Sequence, residues 1–111
     1  MGYFPFFVDV ENQNCLVVGG GVVALRKIEK LLPFNPNITV VSPKIHKEIL
    51  SIENINIINR KFDFNDLKEK SFVITATDDK VLNKEIYNSC KENNIPVNTV
   101  DDKDNCSFIF P

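Results

Sequence analysis

The sequence holds no tryptophan, one histidine, three cysteines and four glycines among 111 residues, and its 13 basic and 15 acidic side chains leave a formal charge of only −2. The small charge argues against nucleic acid as the main partner, because a phosphate-binding surface shows a clear basic excess. Cys15, Cys90 and Cys106 are odd in number, widely spaced and include no C-x-x-C pair. That spacing excludes a zinc knuckle or redox pair and reads as reduced thiols in a cytoplasmic protein. The lone histidine, His46, stands beside Lys47 and Glu48 with no second ligand at metal spacing, so it reads as a surface residue and no metal site is expected. No run approaches the ~20 apolar residues of a membrane span. The apolar start Tyr3-Phe4-Pro5-Phe6-Phe7-Val8 lacks a basic leader and is cut short by Pro5 and Asp9.

What is present is a 43% hydrophobic chain rich in valine, isoleucine, leucine and phenylalanine, which excludes disorder. The length is that of one domain, able to hide roughly 65% of its unfolded surface. Phe7 to Val10 alternates weakly and predicts a short strand. Cys15 to Val18 is apolar on both faces, as in the middle of a parallel sheet covered on two sides. A helix follows, with Ala24, Ile28, Leu31 and Leu32 on its buried stripe and Arg26, Lys27, Glu29 and Lys30 facing away; Pro33, Asn35 and Pro36 stop it. Further strands are predicted at Ile38 to Val41, Ile55 to Ile58, Phe72 to Ala76, Pro96 to Val100 and, as a sixth, Cys106 to Phe110. A short helix carries Ile45, Ile49 and Leu50, and Phe62 to Lys70 reads as a loop. Asp78 or Asp79 caps a helix whose apolar spacing is Val81, Leu82, Ile86 and Cys90. Strands alternating with helices in this rhythm give an α/β fold with a doubly wound, mostly parallel sheet. Ligands of such sheets sit beyond the carboxyl ends of the strands.

At the first of those ends, Gly19-Gly20-Gly21-Val22-Val23-Ala24 fits the dinucleotide fingerprint G-x-G-x-x-A between a strand and a helix, which makes the fold Rossmann-like. Gly19 permits the tight turn, Gly21 lets a pyrophosphate approach the backbone, and Ala24 lets the helix lie close to the sheet. The amides of Gly21, Val22 and Val23 then point at the anion from a helix N-terminus. The fingerprint also asks for an acidic residue about 20 residues on, to hold the adenosine ribose. Ser42-Pro43-Lys44 stands there instead. Ser42 suits a ribose hydroxyl and Lys44 a 2′-phosphate, which leaves NAD and NADP both open, beside the plain reading of Ser42-Pro43 as a strand terminator. Thr77, after the fourth strand, is placed to donate to a cofactor. Asp78 and Asp79 read as caps. Of the acidic residues Asp101, Asp102 and Asp104 after the fifth strand, one carboxylate reaches the same cleft as the glycine turn and suits proton abstraction coupled to hydride transfer. For any single one, a solvated loop aspartate is the competing reading.

Taken together, Cys15-Leu16-Val17-Val18-Gly19-Gly20-Gly21-x-Val23-Ala24-x-Arg26-Lys27, Ile38-Thr39-Val40-Val41-Ser42-Pro43, Ala76-Thr77-Asp78-Asp79 with Asn83, Asn98-x-Val100-Asp101 and Ser107-Phe108-Ile109-Phe110-Pro111 resemble the N-terminal domain of siroheme synthase and the stand-alone precorrin-2 dehydrogenases. The resemblance implies NAD-dependent oxidation of precorrin-2, a tetrapyrrole, to sirohydrochlorin. In some members it also implies metal insertion. It implies Asp101 as the catalytic group and cofactor contacts from Gly21, Val22, Val23, Pro43 and Lys44, with NAD preferred. Relatives carrying an acidic residue at the place of Val22 make a contact that valine does not. Residues 1–111 thus read as a single NAD-binding domain without the helical segment that, in the family, supplies homodimer contacts and part of the tetrapyrrole site. A polycarboxylate substrate calls for basic side chains, for which Arg26, Lys27 and Lys103 are the candidates. A nucleotide-sensing regulatory domain without catalysis is the alternative, and the absent acidic ribose contact counts against it.

Overall fold

The computed structural model describes residues 2–111. Five strands form one sheet: β1 (Asn14–Val18), β2 (Asn37–Val41), β3 (Asn56–Ile58), β4 (Phe72–Thr75) and β5 (Val97–Thr99). The helices are α1 (Val22–Leu31), the single turn α2 (Lys47–Leu50) and α3 (Lys80–Glu92), with 3-10 turns at Leu32–Phe34, Phe64–Leu67 and Lys103–Asn105. The strand order is β3-β2-β1-β4-β5 and every pair is parallel. Every strand of such a sheet needs a crossover through another element, which is why strands and helices alternate along the chain.

Alternation along each strand sends side chains to opposite faces. Cys15, Val17, Ile38, Val40, Phe72 and Ile74 pack on one face against Ala24, Leu25 and Ile28 of α1 and Ile49 of α2. Leu16, Val18, Val41, Val73 and Val97 pack on the other against Ile86 and Cys90 of α3 and Leu67. Both faces are covered, so the central strands carry apolar residues at consecutive positions rather than alternating ones. Burial pushes the Cys15 thiol up to about 12 and Cys90 to about 11, so both behave as small apolar side chains.

The chain runs β1 to β2 to β3 outward, then crosses back to place β4 against the free side of β1. That reversal is the topological switch point, where the sheet opens a crevice. The register aligns Val18 with both Val41 and Thr75, so three strands end level at the crevice floor.

Several expected elements form differently. Residues 7–10 form no strand: Phe7 is fully exposed, and only Val10 packs on the core. Among the described residues the sheet comprises the five strands alone, and the one backbone bond to this segment is a turn bond, from the Gln13 amide to the Val10 carbonyl at 3.0 Å. Residues 106–110 form no sixth strand. Their side chains intercept the edge of β5 instead: Ser107 Oγ accepts from the Val97 amide at 2.9 Å, and Cys106 Sγ accepts from the Thr99 amide at 3.1 Å. An edge occupied in this way cannot recruit another strand at those positions. The loop after β3 contains the 3-10 turn Phe64–Leu67, closed by an Asp63/Asp66 capping box and by a two-pronged Arg60–Asp66 pair at 2.7 and 2.9 Å. Val81 is 70% exposed, because α3 buries Asn83, Ile86 and Cys90 on the stripe next to it.

Candidate functional site

A cleft of about 870 Å³ opens over the carboxyl ends of β1, β2 and β4, floored by Val18 and Val41 and walled by the loops that follow each strand. Gly19 sits at φ +121°, a conformation that side-chain-bearing residues rarely adopt, and a Cβ there would stand 2.4 Å from the Ala76 carbonyl oxygen. The turn is therefore packed directly against the end of β4. Its amide donates to Val41 at 3.0 Å, which ties it to β2 as well.

Gly20, the unspecified position of the fingerprint, is equally constrained. A Cβ there would lie 2.4 Å from the Lys44 carbonyl oxygen, and the Gly20 carbonyl accepts from the His46 amide at 2.7 Å. Sequence reading missed this role, because the fingerprint leaves the position free. Gly21 differs from both: a Cβ there would meet nothing within 4 Å. Gly21 is the N-cap of α1 and supplies no side-chain cap, and no acidic residue occupies the first turn. The first backbone bond of the helix is Leu25 to Gly21 at 3.0 Å, so the amides of Val22 and Val23 ahead of it have no side-chain acceptor. Uncapped amides, the positive end of the helix dipole and open space before Gly21 together fit a dinucleotide pyrophosphate. Ala24 is fully buried against the sheet, as close helix packing requires.

On the β2 side, Ser42 is buried and its hydroxyl donates to the Lys44 carbonyl at 2.7 Å, leaving its oxygen only acceptor capacity toward a ligand. Asn59 donates to the carbonyls of Ser42 and Pro43, both at 3.2 Å, and holds this loop in place. Lys44 is exposed at the rim. His46 is not a simple surface residue. It is half-buried, lines the cleft, and its Nδ1 accepts from the Glu48 amide at 3.1 Å as the cap of α2. Lys61 and Phe62 complete this wall, and no sequence motif announced them.

On the β4 side, Thr77 lines the cleft, but its hydroxyl is turned into the entry of α3, where it bonds Asn83 Oδ1. Asn83 Nδ2 returns a bond to the Thr77 carbonyl at 3.0 Å. The expected donation from Thr77 to a cofactor thus competes with a fixed internal partner. Asp79 is the cap of α3, accepting from the Leu82 amide at 3.0 Å.

Asp101 is not among the residues around this cleft. The expectation that it shares the cleft of the glycine turn is corrected: it lines a separate groove of about 220 Å³ with Val23, Arg26, Lys27, Lys30 and Val100. The reason is the residue before it: Val100 packs with the core on the α1 face, and Asp101 follows at φ +59° in a tight turn closed by the Asp102 amide on the Thr99 carbonyl at 3.2 Å, after which the chain passes to α3, where Lys84 donates to Asn105. Val23 lines both cavities and is the point where they meet. Asp102 is held by Asn105 Nδ2 at 2.6 Å, and Lys103 lies outside the groove. Among the described residues no group of three or more His, Cys, Asp or Glu is arranged to hold a metal.

Comparison with known proteins matches this geometry. The chain is 46% identical over 114 aligned residues to the siroheme synthase of Blochmanniella pennsylvanica and 40% identical to that of Ruthia magnifica, covering all of this chain and 24% of each of those proteins. It thus spans about a quarter of the length of these relatives. A solved structure of SirC, a precorrin-2 dehydrogenase, superposes with a TM-score of 0.87 at 28% identity, covering 98% of this chain and 55% of that one. The family model described as "Putative NAD(P)-binding" matches residues 6–111. The chain belongs to that NAD(P)-binding family, as the strand–glycine turn–helix geometry at the switch point requires.

Proposed function

We propose that this chain binds NAD in the cleft at Gly19-Gly20-Gly21 and oxidises precorrin-2 to sirohydrochlorin, with Asp101 as general base. The observation that carries the reading is the pairing of two features through Val23: an uncapped, open α1 N-terminus, and an aspartate with no ion-pair partner in the next groove. The reaction removes a hydride and a proton from the substrate. Bound NAD would supply the hydride acceptor. Asp101 takes the proton, and the groove opens its carboxylate to a ligand lying across Val23. Val22 and Val23 present amides to the pyrophosphate, while Ser42, Pro43 and Lys44 border the adenosine ribose. Thr77 borders the cofactor from the β4 side, its hydroxyl kept on Asn83.

The siroheme synthase relatives and the precorrin-2 dehydrogenase likeness support the substrate. NAD, rather than NADP, is the cofactor that the family resemblance implies. Lys44 and Lys61 on the cleft wall make NADP the competitor to test. A cytoplasmic homodimer belongs to the same proposal; among the described residues, no helix is long and apolar enough to cross a membrane.

The test is turnover of precorrin-2 by Asp101→Asn alongside NADH and NADPH titrations. The variant is expected to lose turnover while binding NADH as the wild type does. Retained turnover would remove Asp101 from the role, and tighter binding of NADPH than NADH would overturn the cofactor choice.

A further inference from the structure

Among the described residues the chain forms one ion pair, Arg60–Asp66. The three cations at the Asp101 groove are therefore unpaired. They are there by helical spacing: Val23, Arg26, Lys27 and Lys30 stand three, four and seven residues apart and so form one stripe along α1. That stripe faces the turn carrying Val100 and Asp101. In an acidic protein this is a local reversal of charge. Lys27 lies 4.2 Å over the Phe110 ring, which pins it to the chain's C-terminal segment, whereas Arg26 and Lys30 are exposed and form no ion pair, with Asp101 the one acidic residue lining their groove.

We infer that Arg26 and Lys30 form a carboxylate-binding subsite that anchors a side-chain carboxylate of the tetrapyrrole and so sets the macrocycle across Val23, with its reacting atoms at Asp101. The inference rests on the proposed reaction and deepens it. Two physical points support it. A groove of about 220 Å³ is smaller than the ~300 Å³ and more that a whole drug-sized ligand fills, so it suits one arm of a large substrate rather than the ring itself. A planar guanidinium grips a carboxylate with two parallel bonds, which fixes orientation as well as position. Cations alone would also draw the nucleotide's phosphates. Gly21 and Val22, however, line only the other cavity, which gives the phosphates uncapped helix amides of their own away from Arg26 and Lys30.

The experiment titrates the chain with sirohydrochlorin and, separately, with NADH, comparing wild type, Arg26→Gln/Lys30→Gln and a charge-matched control, Lys68→Gln/Lys91→Gln. The control lysines are exposed and line neither cavity. Glutamine keeps helix propensity, and circular dichroism confirms that each variant folds. The groove variant is expected to bind sirohydrochlorin about tenfold or more weakly, the scale of one lost charged hydrogen bond. Its salt dependence should be shallower, and its NADH affinity should be that of wild type. Unchanged sirohydrochlorin affinity in the groove variant would overturn the subsite while leaving the proposed function standing, as would an equal loss in the control. A wild-type chain that binds NADH but no sirohydrochlorin would overturn the tetrapyrrole reading itself.

Discussion

Gly21→Ala separates folding from ligand binding more cleanly than any other change to this chain. The residue sits at φ −91°, ψ −165°, extended backbone that alanine also adopts, and its added methyl would meet no protein atom within 4 Å. The folded protein loses only the preference of an N-cap for glycine over alanine, about 1 kcal/mol at most. In a domain of this size that lowers Tm by roughly 4–8 °C. Ligand binding suffers differently, because the methyl occupies the space in which a pyrophosphate would meet the Val22 and Val23 amides. Losing one or two such charged hydrogen bonds, at ~1.5–3 kcal/mol each, weakens binding by about one to four orders of magnitude. Gly19→Ala and Gly20→Ala are the contrast. Their methyls would stand 2.4 Å from the Ala76 and Lys44 carbonyl oxygens, and Gly19 also carries a backbone conformation that costs alanine ~1–3 kcal/mol. Both should lose stability well beyond Gly21→Ala. Thermal unfolding and NADH fluorescence titration on the three variants read the two effects independently. A folded Gly21→Ala that binds NADH as tightly as wild type would refute the pyrophosphate position. One as unstable as Gly19→Ala would refute the open space before the helix.

Three further predictions concern the scaffold. The hydrogen bonds from Arg60 hold the Asp66 carboxyl below the usual carboxylate range. A folded-state value below the unfolded ~3.9 adds stability that is fully present above that value and is lost as pH falls through the folded one. The Tm gap between wild type and Asp66→Asn should therefore be constant near neutrality and close below about pH 4; a gap independent of pH would contradict the pairing. With a thiol reagent at mildly alkaline pH, Cys106, half-buried, should react first, while Cys15 and Cys90, held protonated by burial, wait for unfolding. Simultaneous reaction of all three in the native protein would count against the buried core. Asp79→Ala removes the α3 cap, and urea unfolding should show a loss of about 1 kcal/mol.

The elements legible in the sequence were those with a periodic apolar signal and a neighbour to bury it. β1 was read as apolar on both faces and β2 and β4 as further strands, and the structure covers all three on both faces. Residues 7–10, weakly alternating, and 106–110, largely apolar, were also read as strands yet form none. An apolar segment specifies burial or extension, whereas a strand also needs a backbone partner, and at the edge of β5 the side chains of Cys106 and Ser107 take the partner's place. The glycine turn was legible because its chemistry is local. The cleft wall of His46, Lys61 and Phe62 was not, because it gathers from β2 and β3 exits that approach one another only in the folded sheet.

By itself, then, the sequence determined the α/β class, the position of the glycine turn and the burial of Ala24 and Ile28 on α1, whereas Leu31 and Leu32 are only half-buried and Leu25 is buried with them. Only the tertiary structure decided that Gly20 is pinned by the Lys44 loop, that Thr77 is engaged by Asn83, and that Asp101 opens into a basic groove beside the glycine-turn cleft. Each of those depends on which strand ends are brought level by the sheet register and on which helix the loops after them pack against. Neither quantity is encoded in spacing along the sequence.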